Sequence, residues 1–213
     1  MSYRLAGHKV YLAGPMDRVP DHGIGWRQSL TPWLHRRGIL VLDPAAKPTT
    51  VGREDIDARV DRVTAKAAGD YDTLATIMKE VRRIDLRMID VCDFVIVRFD
   101  MAVHMCGTYE EVFWANRQKK PVLCWVEQGK GQTPDWMFAT LPHDHLFDSL
   151  EQLQDYVDHI DQAATIDLRG RWQFLDYTSL YTPEVLARLD QARCIQGGTS
   201  YLPGDPSSWN PKS

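Results

Sequence analysis

The sequence predicts an α/β protein, a parallel sheet with helices on both faces, and three observations predict it. Several short runs, notably Val10-Tyr11-Leu12-Ala13, Ile39-Leu40-Val41-Leu42, Phe94-Val95-Ile96-Val97 and Val122-Leu123-Cys124-Trp125-Val126, are almost wholly apolar, as strands buried on both faces are. Helix-like stretches alternate with these runs, the pattern that connects parallel strands. The 213 residues, 44% hydrophobic and 25% charged, suffice for one full core with elaborations.

The first strand is expected at residues 9–13, stopped by Gly14-Pro15. After a loop carrying Asp17, Arg18, Pro20 and Gly23, Trp26, Leu30, Trp33 and Leu34 fall on one helical stripe, with Gly38 as the residue that ends it. Residues 39–42 form the second strand and stop at Asp43-Pro44. Residues 45–72 are rich in charge and lack a clear stripe, which suggests a helical insertion over the carboxyl edge of the sheet, acting as a mobile cover. From Tyr71 to Cys92, apolar residues (Leu74, Ile77, Met78, Val81, Ile84, Met88, Ile89) recur at three- and four-residue spacings, the strongest helical signal in the chain. The third strand (94–97), a helix opened by Thr108, the fourth strand (121–126) and a short fifth (145–147) follow. Ser149 then caps a helix, with Gln152 at its third position. This order reads as a flavodoxin-like or Rossmann-like domain over residues 1–165. Residues 166–213 read as a partly irregular extension, with an edge strand at 171–176 and a short helix at 183–193.

Composition narrows the function. A net charge of −4 argues against a large footprint on polymeric nucleic acid. No apolar run reaches membrane-spanning length and the N-terminus lacks the apolar core of a secretion signal, so a cytoplasmic protein is expected. The four cysteines (Cys92, Cys106, Cys124, Cys194) show no paired spacing and fit reduced thiols.

Three residues stand out against their setting. Glu111 lies four residues after Gly107, where a helix opens behind a strand. With Thr108 as N-cap it falls in the first turn, near backbone N–H groups that keep a carboxylate ionised and facing a ligand. The same Thr-x-x-Glu spacing is also a capping box, which does no chemistry. Asp85 sits on the apolar stripe of its helix. There a carboxylate must be paired, hydrogen-bonded or protonated, and burial raises its pKa toward that of a proton donor; Arg82 at the stripe's edge is the alternative partner. Tyr11, in a central strand, needs a partner for its hydroxyl, either a nearby carboxylate or a backbone carbonyl. Asp43 fits a turn, and Arg18 and Arg27 an anionic group or plain solvation. Cys106 has no histidine at a telling spacing, His143-Asp144-His145 resembles a metal cluster only in composition, and Gly129-Lys130-Gly131 lacks the spacing of a phosphate-binding loop.

The succession Val10-Tyr11-Leu12-Ala13-Gly14-Pro15, Asp85 with Asp93-Phe94-Val95-Ile96-Val97, Gly107-Thr108-x-x-Glu111 and Lys120-Pro121-Val122 resembles the nucleoside 2-deoxyribosyltransferase family, whose relatives include nucleotide N-glycosidases. The resemblance spans residues 8–126 and implies roles for the same three residues. Glu111 would attack the anomeric carbon, Asp85 handle the leaving base, and Tyr11 position the glutamate. Gly14, Pro15, Asp17, Asp43, Gly107 and Thr108 are the candidate substrate-binding residues. Two departures stand out: Met105-Cys106 replaces the acidic or Asp-Ser pair common before Gly-Thr, and Phe113 replaces a glycine. The resemblance implies exchange or cleavage of an N-glycosidic bond in a (deoxy)nucleoside or nucleotide, without metal or cofactor. The expected partners are the nucleoside or nucleotide, a free base and further copies of the chain. A nucleotide N-glycoside hydrolase is the alternative, and a non-catalytic nucleotide sensor the rival from another class.

Overall fold

The computed structural model describes residues 4–47, 52, 54, 56–162, 171–173, 182–184 and 187. Its centre is a five-stranded, all-parallel sheet of β1 (Lys9–Ala13), β2 (Leu40–Leu42), β3 (Phe94–Phe99), β4 (Val122–Val126) and β5 (Leu146–Phe147). The spatial order is β2-β1-β3-β4-β5. That order is the flavodoxin-like one, and it reverses direction between β1 and β3.

The helices are α1 (Ile24–His35), α2 (Ile56–Ala67), α3 (Tyr71–Val91), α4 (Cys106–Arg117), α5 (Asp135–Thr140) and α6 (Leu150–Gln162). Alternate side chains of each strand serve opposite faces, and each face carries its own core. Tyr11, Ala13, Val95, Val97 and Cys124 pack with Leu86 and Ile89 of α3, Val112 and Ala115 of α4 and Met137 of α5. Val10, Leu12, Phe94, Ile96 and Leu123 pack with Leu30 and Leu34 of α1 and Leu153, Val157 and Ile160 of α6. The expected Ser149 cap is present: the Gln152 N–H donates to Ser149 Oγ at 3.3 Å, while the Gln152 side chain accepts from the N–H of Asp148.

Two expectations are revised. In the charged segment, α2 turns Ala58 and the buried Arg62 inward while Val60 and Val63 are exposed. Val60, Val63 and Ala67 recur at three- and four-residue spacing, so the segment does carry a short apolar stripe, and it faces away from the core. In the C-terminal extension, Arg171, Trp172 and Gln173 are not in a strand, and Trp172 is buried against Phe94 with ring centroids 5.1 Å apart. The rest of the expected edge strand, most of the expected 183–193 helix and the last twenty residues lie outside the described residues.

Candidate active site

Where the strand order reverses, crossovers leave β1 and β3 toward opposite faces and open a crevice at the strands' carboxyl ends. Here a cavity of about 600 Å³ occupies that place. The turn after β1 contributes Gly14 and Pro15, α3 contributes Met78, Val81 and Asp85, and the start of α4 contributes Gly107, Thr108 and Glu111. Gly14 is required by close approach: a Cβ there would stand 3.0 Å from the Trp26 ring and 3.2 Å from Arg98 Cβ. Gly23, opening α1, has φ +68°, and a Cβ would lie 2.4 Å from the Pro15 carbonyl oxygen. No such constraint acts on Gly107, whose Cβ would meet no protein atom within 4 Å.

The start of α4 differs from the Thr-based expectation. The helix begins at Cys106, with Met105 in the capping position and no side-chain cap, so Thr108 is its third residue and is buried. Glu111 therefore sits in the second turn, beyond the reach of a capping box. Its partner is the Tyr11 hydroxyl, which donates to Glu111 Oε1 at 2.6 Å. Tyr11 is fully buried beneath the cavity, and burial followed by the charges of Glu111 and Asp85 pushes its pKa well above the ordinary value.

Glu111 is half-buried and lines the cavity. Desolvation pushes its pKa up to about 8, opposed by the Tyr11 hydrogen bond and by Arg27 and reinforced by Asp85 and Glu54. Burial thus shifts this carboxyl, expected to stay ionised at neutral pH, toward its protonated form. In the second turn, the free N–H groups of the helix start are too far along the axis to offset desolvation.

Asp85 lines the same cavity from α3 and is buried. Its partner is Lys47 rather than Arg82: Lys47 Nζ donates to Asp85 Oδ1 at 2.5 Å and to Glu54 Oε2 at 2.6 Å. Arg82 instead pairs with Glu110 at the surface. Burial, then the Glu54 charge, raise the Asp85 pKa to about 7 against the opposing pull of Lys47. A carboxyl whose titration burial has moved toward neutral pH thus lines the same cavity as Glu111.

The remaining candidates separate into two groups. Asp17, Gly14, Pro15, Gly107 and Thr108 line the cavity, and Asp17 accepts from Arg62 of α2 at 3.0 Å. Asp43 stands outside the lining: its Oδ1 accepts from the Ala45 N–H at 2.8 Å, shaping the turn after β2, and lies 3.4 Å from Arg27 Nε. Arg27, fully buried, donates to the carbonyls of Leu12, Gly14 and Gly23, so it ties the loop after β1 together. Arg18 is exposed at the cavity mouth. Among the described residues no group of three His, Cys, Asp or Glu side chains could hold a metal ion, His143-Asp144-His145 included.

Lys47 and Glu54 escape the sequence pattern. The one hint was a lysine close behind a strand that ends in Asp-Pro, and nothing in its spacing pointed to an acid on α3.

Fold and site together define a doubly wound α/β protein with a carboxyl-rich cavity at its strand-order reversal. No family model and no curated protein matches the chain. Among solved structures it is similar to a 2-desoxiribosyltransferase from Leishmania mexicana, at 18% identity and a TM-score of 0.45, over 71% of this chain and 98% of that one. It is similar to a 2-deoxyribosyltransferase from the psychrotolerant bacterium Bacillus psychrosaccharolyticus, at 15% identity and a TM-score of 0.45, over 76% and 95%. A CMP N-glycosidase from Clostridium botulinum is similar at 13% identity and a TM-score of 0.38, over 72% and 98%.

Proposed function

We propose that the protein breaks the N-glycosidic bond of a (deoxy)nucleoside or nucleotide through Glu111 and passes the sugar to a second base, with water as the slower acceptor. The observation that carries this reading is the Tyr11–Glu111 pair, 2.6 Å apart, opening on the cavity that Asp85 also lines. Motif order along residues 8–126 points to the same chemistry.

In the reactive form Glu111 is ionised and Asp85 is protonated. The Glu111 carboxylate attacks the anomeric carbon as its bond to the base breaks, and the departing base takes the proton from Asp85. A second base then attacks the glycosyl ester from the face the first one left. Its ring N–H proton returns to Asp85 and Glu111 is released as carboxylate. The Tyr11 hydroxyl holds the attacking oxygen in place and favours its ionised form. Positive charge developing on the sugar favours that form further.

With Asp85 raised to about 7 and Glu111 to about 8, the two titrate as a pair over a narrow range. The rate against pH is expected to form a bell between those limits. The test is to incubate deoxynucleoside and deoxynucleotide donors with and without a different free base. A new nucleoside or nucleotide is expected whenever the second base is present. Equal free-sugar formation in both cases, with no new nucleoside, assigns hydrolysis instead. No base released from any donor refutes the glycosyl chemistry altogether.

A further inference from the structure

We propose that Lys47 and Glu54, from the segment between β2 and α2, are positioning residues that fix the Asp85 carboxyl at the cavity and govern when it holds a proton. This rests on the glycosyl-transfer reading for its chemical purpose, though not for its geometry.

Lys47 and Glu54, 7 residues apart in one segment, meet Asp85 of α3, and the three side chains are nearly sealed from solvent, with Lys47 5% exposed and Glu54 and Asp85 11% each. Lys47 Nζ reaches Asp85 Oδ1 and Glu54 Oε2 at 2.5 and 2.6 Å, and Glu54 is also within hydrogen-bonding reach of Asp85. The backbone at Glu54 is held in turn, its carbonyl oxygen 2.6 Å from His22 Nε2. An ammonium bonded to two carboxyl groups fixes both rotamers, so Asp85 cannot swing away when a base enters or leaves.

Charge counting supplies the second half. One ammonium faces two carboxyl groups, so the buried trio carries an excess negative charge unless it takes up a proton. Taking two charges out of water is costly, and an unpaired one costs more. The trio therefore holds one exchangeable proton. Once Asp85 gives it to the departing base, the new carboxylate is left beside Lys47 rather than bare in a desolvated wall. Without Lys47 the donated state would be unstable and Asp85 would keep its proton. Without Glu54 the lysine would hold Asp85 as a permanent carboxylate with nothing to donate. Glu111 of α4 and Tyr11 of β1 respond to Asp85 through space. The cavity wall also carries Asp17, Glu110, His104 and the cations Arg18, Arg27 and Arg82. Arg27 is bonded to the carbonyls of Leu12, Gly14 and Gly23 and Arg82 is paired with Glu110, whereas Lys47 is the cation hydrogen-bonded to Asp85 itself.

The test reads Asp85 directly, by following its side-chain carboxyl carbon through a pH titration by NMR in the ligand-free full chain. Lys47→Met should move the Asp85 titration upward by about one pH unit or more, the size expected for loss of an adjacent opposite charge. Glu54→Gln should move it downward, and Lys47→Arg, which keeps the charge, should return it toward wild type. In base-release assays the optimum of kcat/KM should rise with Lys47→Met and fall with Glu54→Gln. An Asp85 titration that stays with wild type in Lys47→Met and Glu54→Gln overturns the proposal. If Lys47→Met does not fold, Glu54→Gln decides alone by the same criterion. Absence of base release by the wild type, with the Asp85 titration moving as described, would refute the glycosyl chemistry and leave this assignment standing.

Discussion

One buried polar cluster lies beside the edge strand β5 and another at the carboxyl ends of the inner strands β1 and β3, and the same force acts on both with opposite consequences. Beside β5, His145 is fully buried, its Nε2 2.9 Å from the Tyr156 hydroxyl, which accepts from Trp172 Nε1 at 3.1 Å. Desolvation pushes the His145 pKa down to about 4, so the ring is neutral at every working pH. At the carboxyl ends of β1 and β3, desolvation pushes Glu111 up to about 8 and Asp85 up to about 7. Burial disfavours the charged form in each case. A base is driven out of the neutral range and becomes inert. Acids are driven into it and become able to exchange protons where reactions run. The second cluster also opens on a cavity, whereas the first is closed by Trp172 and Phe147. Burial with access makes a site, and burial without access makes a core.

The largest expected effect comes from removing the acid at the open cluster. Glu111→Gln should lower base release by about a thousandfold, since a neutral amide can neither attack nor stabilise a cationic sugar centre. Turnover within about tenfold of wild type would sink the nucleophile assignment. The same change should raise thermal stability at alkaline pH. Folded Glu111 titrates at about 8 against an ordinary 4.5, so between those values the folded state keeps a proton that the unfolded chain gives up. Stability therefore drains as pH rises through that window and stays reduced above it. Melting curves at about pH 5 and about pH 9 should show the variant gaining only at the higher value.

A smaller effect is expected from Tyr11→Phe. The lost hydrogen bond stabilised ionised Glu111, so activity should fall about 10- to 100-fold, the range for a hydrogen bond to a charged group. The pH optimum should rise as Glu111 holds its proton more tightly. An unchanged optimum would show that Tyr11 only packs.

His145→Gln should leave the pH dependence of base release untouched and act on stability alone, by about 1–3 kcal/mol. Folded His145 titrates at about 4 against 6.5 when unfolded, so the native state binds fewer protons between those values. Its contribution is present above 6.5 and is lost as pH falls toward 4, and the variant's acid limb should be flatter. A shift in the activity optimum would break the contrast between the two clusters.

Much of the architecture was legible because buried parallel strands advertise themselves as unbroken apolar runs. β3 and β4 carry Phe94-Val95-Ile96-Val97 and Val122-Leu123-Cys124-Trp125-Val126, and α3 carries the most regular stripe. Asp85 was legible for the same reason in reverse, as an acid where the stripe demands an apolar residue. The start of α4 was misread, with Met105 rather than Thr108 in the capping position, because Thr-x-x-Glu is a local pattern while the helix entry is set by how the loop after β3 meets the sheet.

By itself, then, the sequence determined the sheet, its helical layers and the short set of residues worth suspecting. Spacing along a chain controls which side chains share a face, and hydrophobicity controls which face is buried. Only the tertiary structure decided that Tyr11 meets Glu111 across 100 residues, that Lys47 meets Asp85 across 38, and that Asp43 braces Arg27 outside the cavity. It also decided the charge state of the site. The cost of ionising a carboxyl depends on the protein packed around it and on the distance to the nearest cation. Both are fixed by how the elements pack, and neither is written in the order of residues.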